Sequence, residues 1–411
     1  MFKLKLHWQV FIAMALGILF ALILGEKSTV VTPLGTIFMR LLKMIIVPLI
    51  IFSITSGVAS LGDSKTLGRM GAKTFGYYFL TSILAIITGL LLTNIIRPGV
   101  GVEFSGMGGD FDPASLNKPD SLAGILIRMI PLNPIKAMAD GDMLGIIFWS
   151  ILFGFSITRL SGKPQEFFIN FFAYGFKAMM KLTQGIIALL PIGVFGLITT
   201  AVANSGIDVF KAVGKYIITI SIGLSIHFLV ILPLVFFIFT KINPLKHWKA
   251  MASAFATAFS TSSSGATLPV TIDCIENNVG VSNRTTSFVL PLGATINMDG
   301  TALYECAGVL FISQALGIDL SISQQVVVVM TAFLASVGAA AVPSAGLVMI
   351  FIVLGAVGLG DHPGAGVIVG TMLAVDRPLD MYRTMVNVAS DSIGAVVVAK
   401  SEGESNLYPN N

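Results

Sequence analysis

The run AVDRPLDMYRTMVNVASDSIG, residues 374–394, spaces Asp376, Asp380, Arg383 with Thr384, Asn387 and Asp391 three or four positions apart. That spacing puts them on one face of a single helix, in a stripe about 22 Å long at about 1.5 Å per residue. The other face carries Leu379, Met381, Met385, Val386, Val388, Ile393 and Val396. In an apolar setting the stripe must therefore look into the protein or an aqueous pocket. Arg383 offers a planar fork suited to a carboxylate. Asp380, one turn earlier, accepts hydrogen bonds from an ammonium. Asn387 and Asp391 are hard oxygen donors of the kind that suits sodium. A purely internal Asp380–Arg383 ion pair is the competing reading, and it leaves Asn387 and Asp391 unexplained.

Three more stretches supply what such a pocket needs. AFSTSSSGATLPVT (258–271) and ASVGAAAVPSAG (335–346) are rich in small and polar residues, with apolar arms too short to span alone. Irregular backbone is tolerated in hydrocarbon only where protein or a watery cavity satisfies its N–H and C=O groups. Each stretch is thus expected to be a re-entrant helix–tip–helix unit, the paired interruption that marks the substrate site of a secondary transporter. Kinked spans with Ser and Gly at helix contacts are the alternative. Between them, PLGATINMDGTALYE (291–305) carries Gly293, Asn297, Asp299 and Gly300 in mid-span, which predicts an unwound segment able to bind a cation. A charge at membrane depth costs about 3 kcal/mol by insertion scales, so Asp299 and Glu305 point to function. Helix N-termini at the tips can hold a second carboxylate. A ligand with two carboxylates and one ammonium satisfies the whole constellation: aspartate or glutamate.

The elements that hold these residues are membrane spans. Of 411 residues 11% are charged, where a soluble domain has about a quarter, and the mean hydropathy is +0.89. Apolar runs at 8–25, 37–60, 75–97, 143–160, 176–200 and 216–240 predict helices near the length a bilayer needs. The first is read as a helix and not as a cleaved signal. Lys3 and Lys5, Lys65, Arg69 and Lys73, Arg159 and Lys163, and Lys241, Lys246 and Lys249 share one side if both ends are cytoplasmic.

Several chemistries are excluded. The net charge of +4 is not gathered in a patch, which argues against nucleic acid. Cys274 and Cys306 give neither a disulfide framework nor a metal-ligand spacing. The four histidines, His7, His227, His247 and His362, form no motif. No phosphate-binding loop occurs, and no base stands near TSSSG to make a nucleophile of it. The chain is not expected to be an enzyme. An anion channel is the rival from another class, but Asp–Arg recognition of a zwitterion favours binding over leak.

The segments TSSSGATLP, GATINMDGTALYE, GAAAVPSAG and LDMYRTMVNVASD resemble the dicarboxylate/amino acid:cation symporter family. This is the glutamate transporter family of archaeal aspartate carriers and mammalian excitatory amino acid transporters. MRLLKMIIVPLI (39–50), YYFLTS (77–82) and LLPIGVFGLI (189–198) fit its second, third and fifth helices, so the likeness covers nearly the whole chain. It implies an all-α polytopic fold of eight transmembrane helices plus two re-entrant hairpins, assembled as a homotrimer in the plasma membrane, or the inner membrane of a prokaryote. Residues 1–64 would hold scaffold helices 1 and 2, residues 65–100 transport-domain helix 3, and residues 101–205 a loop with scaffold helices 4 and 5. Residues 206–400 would complete a transport domain that moves like an elevator, with 401–411 a cytoplasmic tail.

The resemblance also assigns residues. Asp380 would bind the substrate ammonium and Arg383 its side-chain carboxylate. Thr301, Thr384 and Asn387 would add hydrogen bonds, with Ser263 and Ser264 at the first tip and Val342 and Gly346 at the second. One sodium would use Gly293, Asn297, Asn387 and Asp391. Another would use backbone carbonyls of Thr295, Ser336, Val337 and Ala339, and a third Thr81, Ser82, Asn297 and Asp299. Neutral amino acid carriers of the family lack the arginine at 383, and C4-dicarboxylate carriers lack the aspartate at 380. The expected function is therefore an acidic amino acid symporter driven by sodium. A proton, carried at Glu305 as in the mammalian members, is a second candidate coupling ion. A proton-only symporter and a C4-dicarboxylate symporter remain as alternatives. Ser262 stands where archaeal carriers place an arginine, and Arg377-Pro378 inside the last helix has no assigned role.

Overall fold

Lipid offers the backbone no hydrogen-bond partners, so apolar runs must close their own bonds as helices. The computed structural model describes residues 6–59, 65–101, 127, 129–205, 209–338 and 345–408, and every regular element among them is helical. Helix α1 is Leu6–Leu24, and a tight turn at Gly25–Val31 leads into α2, Thr32–Ala59. Helix α3 is Lys65–Ile96. A short α4, Pro134–Asp140, precedes α5, Met143–Thr158, then α6, Lys163–Ile187, and α7, Leu190–Ser205. Helix α8, Val209–Ile226, passes through a wide π turn at His227–Ile231 into α9, Leu232–Thr240.

The second half shows the expected interruptions. Helices α10, Pro244–Thr261, and α11, Ser264–Asp273, meet at a two-residue tip. Helix α12, Asn283–Ile296, stops at Asn297-Met298 and the chain re-enters a helix as α13, Asp299–Ala315. Helices α14, Ile322–Gly338, and α15, Ala345–Ala356, pack on each other, with the tip at 339–344 outside the described residues. Helix α16, Pro363–Ser401, is continuous although Pro378 lies inside it and can give no N–H to the turn before.

The spans differ from the sequence expectation in three places. Among the described residues, Lys27–Ala59, Arg69–Ile96 and Val213–Thr240 are long and apolar enough to cross a membrane. The single span expected at 176–200 is instead two helices, Lys163–Ile187 and Leu190–Ala203, bent by 51°. Pro191, at the start of α7, has no N–H for the carbonyl of Ile187, so the helix breaks there. The runs at 8–25 and 143–160 are apolar helices somewhat shorter than a full span, Trp8–Leu24 and Met143–Thr158. Large apolar side chains such as Ile23, Leu91, Ile95, Phe167 and Leu229 are exposed, as a lipid-facing exterior requires. The chain is a multi-pass membrane protein.

Helices α1, α2, α5, α6 and α7 pack on one another, while α3 and α8 to α13 surround α16, joined by α14 and α15. Both faces of α16 are buried, since Leu379, Val386, Val388, Ile393 and Val396 are as covered as the polar stripe. The helix is thus central, and its apolar face meets other helices instead of lipid. Between the two groups, α7 lies on α16 and α2 on α14 and α15. Lys43 of α2 reaches across to the turn before α16, donating to the Gly360 carbonyl at 2.6 Å and pairing with Asp361 at 3.1 Å.

The end of the chain is tied down at one end of the bundle. Glu402 accepts from Arg69 and Lys73 of α3, each at 2.6 Å. Hydrogen bonds from Arg69 and then Lys73 hold its carboxyl well below the usual carboxylate range, at about 2. Glu404 accepts from the Ser282 backbone N–H at 2.8 Å and the Ser282 hydroxyl at 2.6 Å, at the start of α12.

Candidate functional site

The stripe on α16 meets the break between α12 and α13 at the centre of the second helix group. Arg383 is 1% exposed and its Nη2 donates to Asp380 Oδ1 at 2.9 Å and to Asp376 at 3.2 Å. Its guanidinium lies over the Tyr304 ring, 3.7 Å from the centroid. The Nε and Nη1 atoms of Arg383 have no partner among the described residues. A Cβ added at Gly346 would come within 3.1 Å of that Nη1 and 3.3 Å of the Thr301 methyl. The α15 backbone at Gly346 therefore lies close against Nη1, one of the two unused donors, with little room for a side chain. A buried guanidinium with spare donors is high in energy until an anion meets it.

Around this group the expected substrate residues are largely assembled. Asn387 accepts from the Gly300 N–H at 2.8 Å and donates to the Thr301 hydroxyl at 3.3 Å. Thr384 is buried, but its hydroxyl is turned back to the Asp380 carbonyl at 2.8 Å. Gly300 permits the contact of α13 with α16, because a Cβ there would lie 2.6 Å from the Arg383 carbonyl oxygen. Ser263 caps α11 by accepting from the Ala266 N–H at 3.2 Å, and the adjacent Ser264 is buried in the first turn of that helix. Ser262 before them is forced to φ +52° at the end of α10, a left-handed conformation that costs a non-glycine residue about 1 kcal/mol. Val342 lies outside the described residues.

Oxygen donors gather one to two turns further along. Asn297 donates from Nδ2 to Asp391 Oδ1 at 2.9 Å and to the Ser390 hydroxyl at 3.0 Å. Its own Oδ1 is buried with no hydrogen-bond donor among the described residues. At Gly293 a Cβ would fall 2.6 Å from Asp391 Oδ1, so the glycine lets the α12 backbone close on the carboxylate. An orphaned amide oxygen, a carboxylate and a nearby chain break fit a hard cation such as sodium. Groups of three or more His, Cys, Asp or Glu side chains that could hold a metal do not occur among the described residues.

The Asp299 cluster is equally well formed. Its Oδ1 accepts from Ser82 at 2.7 Å and Thr81 at 3.3 Å, which brings three of the four residues of that expected set into contact. The set around Thr295 is described in part: the Thr295 hydroxyl bonds Pro291 and Leu292 carbonyls of its own helix, and the Ser336 hydroxyl bonds the Phe333 carbonyl. Val337 is half-buried and Ala339 lies outside the described residues. Glu305 is fully buried, and neither carboxylate oxygen has a partner among the described residues.

Three residues at the site carry no assignment from sequence. Asp376 stands two turns before Arg383 on the same stripe, and that spacing is the signal available for it. Tyr304, beside Glu305, forms the floor under the guanidinium. His227 belongs to no motif, yet its Nε2 is 3.1 Å from Asp299 Oδ2, with both side chains fully buried. The π turn begins at His227, and such wide turns mark functional positions in helices. No spacing rule links positions 227 and 299, so only the fold brings them together.

Comparison of the whole chain with known proteins identifies its family. The model of the sodium:dicarboxylate symporter family matches residues 6–401. Mouse excitatory amino acid transporter 3 is 37% identical, over 89% of this chain and 78% of its own length. The proton/sodium-glutamate symport protein of Geobacillus stearothermophilus is 36% identical, over 98% of this chain and 96% of its own. The proton/glutamate-aspartate symporter of Escherichia coli is 35% identical, over 97% and 93%. With nearly the whole length matched, the chain belongs to the sodium:dicarboxylate symporter family.

Proposed function

We propose that the chain is a secondary active symporter for L-aspartate and L-glutamate, driven by sodium, with a proton as a second coupled ion. The observation that carries this reading is Arg383, fully buried, held by Asp376 and Asp380, with Nε and Nη1 without a hydrogen-bond partner among the described residues and Nη1 close to Gly346. A substrate side-chain carboxylate would take those two donors as a fork. The ammonium would go to Asp380 and the remaining carboxylate to N–H groups at the tips, including the start of α11. Asp380 disfavours a dicarboxylate with no ammonium, and this separates the reading from a C4-dicarboxylate carrier. The names of the relatives, glutamate and glutamate-aspartate symporters among them, point the same way.

Sodium ions would bind at Gly293, Asn297, Asn387 and Asp391, at Thr81, Ser82, Asn297 and Asp299, and under the second hairpin at carbonyls of Thr295, Ser336, Val337 and Ala339. Asn387 belongs to both the ion and the substrate surroundings, so each ligand improves the site of the other. Glu305, with neither oxygen hydrogen-bonded among the described residues, suits a group that carries a proton, since an isolated buried charge is expensive. This observation favours proton coupling beside the sodium.

The packing supports an elevator in which α3 and α8 to α16 move against α1, α2 and α5 to α7. Lys43 lies about 16 Å along α2 from its start at about 1.5 Å per residue, and it pairs with Asp361 at the end of the hairpin. The turn that begins α16 thus sits beside the middle of α2, as expected for a moving unit displaced along a fixed one. Eight spans, two hairpins, cytoplasmic termini and a homotrimer complete the proposal from the family resemblance. Uptake of labelled L-aspartate and L-glutamate into proteoliposomes tests it, under inward sodium, inward proton or combined gradients. Uptake driven by sodium and lost in Arg383→Ala supports the reading. Uptake driven by protons alone would remove the sodium sites, and no uptake under any gradient would sink the substrate assignment.

A further inference from the structure

The Asp380 carboxylate faces two guanidiniums. Arg383 donates to Oδ1 at 2.9 Å, and Arg377, one turn earlier on α16, holds its Nη1 3.5 Å from Oδ2. The two arginines differ in surroundings: the Arg383 side chain is 1% exposed and that of Arg377 29%. Contact with hydrocarbon is costly for a guanidinium, which favours water around the exposed part of Arg377. Arg383 is locked between two aspartates and a tyrosine ring, whereas Arg377 touches the site through one long contact on a stem that can swing.

We infer that Arg377 is a specificity-determining residue that competes with the substrate ammonium for Asp380. The inference rests on the acidic amino acid reading above. The cluster of Asp376, Asp380, Arg377 and Arg383 holds two negative and two positive charges and is neutral as a whole. An arriving ammonium needs Asp380 and finds Arg377 beside it, so binding displaces the guanidinium toward water and is weakened by that exchange. A dicarboxylate without an ammonium meets an Asp380 whose charge is already balanced. Removing Arg377 leaves the cluster with one net negative charge nearest the ammonium position. Ammonium-bearing substrates then bind more tightly, and ammonium-free ones more weakly.

The test is binding of labelled L-aspartate to the purified full chain in sodium, with succinate as competitor, for wild type, Arg377→Gln, Arg377→Lys and Arg383→Ala. Arg377→Gln is expected to tighten L-aspartate by about tenfold, which is about 1.4 kcal/mol, and to weaken succinate by a similar factor. Arg377→Lys keeps the charge and returns both affinities toward wild type. A merely structural role for Arg377 would shift both ligands in one direction, and that result, or no shift, overturns the inference. Where Asp380 keeps succinate from competing even in the wild type, the L-aspartate shift alone decides, and no tightening in Arg377→Gln overturns the inference. Arg377→Met carries the same expectation as Gln should the latter not fold. Failure of the functional reading looks different: wild type would then bind no acidic amino acid, or Arg383→Ala would bind it unchanged.

Discussion

Asn297 donates to Asp391 Oδ1 at 2.9 Å while its own Oδ1, buried beside the chain break, has no donor among the described residues. The amide thus orients the carboxylate and leaves an oxygen of its own for a cation. Asp391→Asn removes the charge while preserving shape. It should raise the sodium concentration needed for half-maximal L-aspartate binding by at least about tenfold, because a charged ligand contributes at least about 1.5 kcal/mol here. A sodium titration of binding that superimposes on wild type would count against this oxygen cage.

Arg383→Ala should reduce L-aspartate binding by about a hundredfold or more, from the loss of about 3 kcal/mol or more expected for a buried charge pair. It also leaves Asp376 and Asp380 without their shared counter-charge. A lower melting temperature in detergent is therefore expected even without substrate. Arg383→Lys, which keeps the charge but not the fork, should recover the melting temperature more than the binding.

Gly346→Leu should abolish substrate binding, since its Cβ alone would already lie 3.1 Å from Arg383 Nη1. Gly300→Ala differs in kind. Its Cβ would lie 2.6 Å from a backbone oxygen of α16, and overpacking of that sort costs about 1–3 kcal/mol. Thermal unfolding in detergent, with and without L-aspartate, separates the two effects.

Glu305→Gln keeps the volume and removes the titratable proton. If Glu305 carries a coupled proton, the dependence of uptake on pH should flatten in the variant while L-aspartate binding in sodium persists. An unchanged pH profile would remove Glu305 from the coupling scheme.

Glu402 provides a pH test outside the site. Its folded pKa, about 2, lies below the ordinary value of 4.5, so the ionised form is stabilised by folding. That contribution is complete above about pH 4.5 and is lost as pH falls toward 2. Glu402→Gln should therefore lower the melting temperature at pH 7, and the difference from wild type should close at low pH.

Much of the site is legible in the sequence because its signals are local. A polar stripe with helical period, a glycine and asparagine break inside an apolar run, and serine-rich tips with short arms each follow from the bilayer's demand on the backbone. Spacing alone therefore places Asp380, Arg383, Asn387 and Asp391 on one face and locates the break at Asn297. The bend between α6 and α7 escapes this kind of reading although Pro191 marks it, because hydropathy runs unbroken through 176–200 and carries no information on direction.

What sequence alone determined was therefore the membrane class, the chemistry of the stripe and the kind of ligand it suits, since these depend on residue type and on spacing within single elements. Tertiary structure decided the pairings between elements. It brought His227 to Asp299 and Asn297 to Asp391, set Tyr304 under Arg383, and joined Lys43 to Asp361. Such pairings depend on how helices pack in three dimensions, and helical packing brings together residues whose separation along the chain carries no period to read.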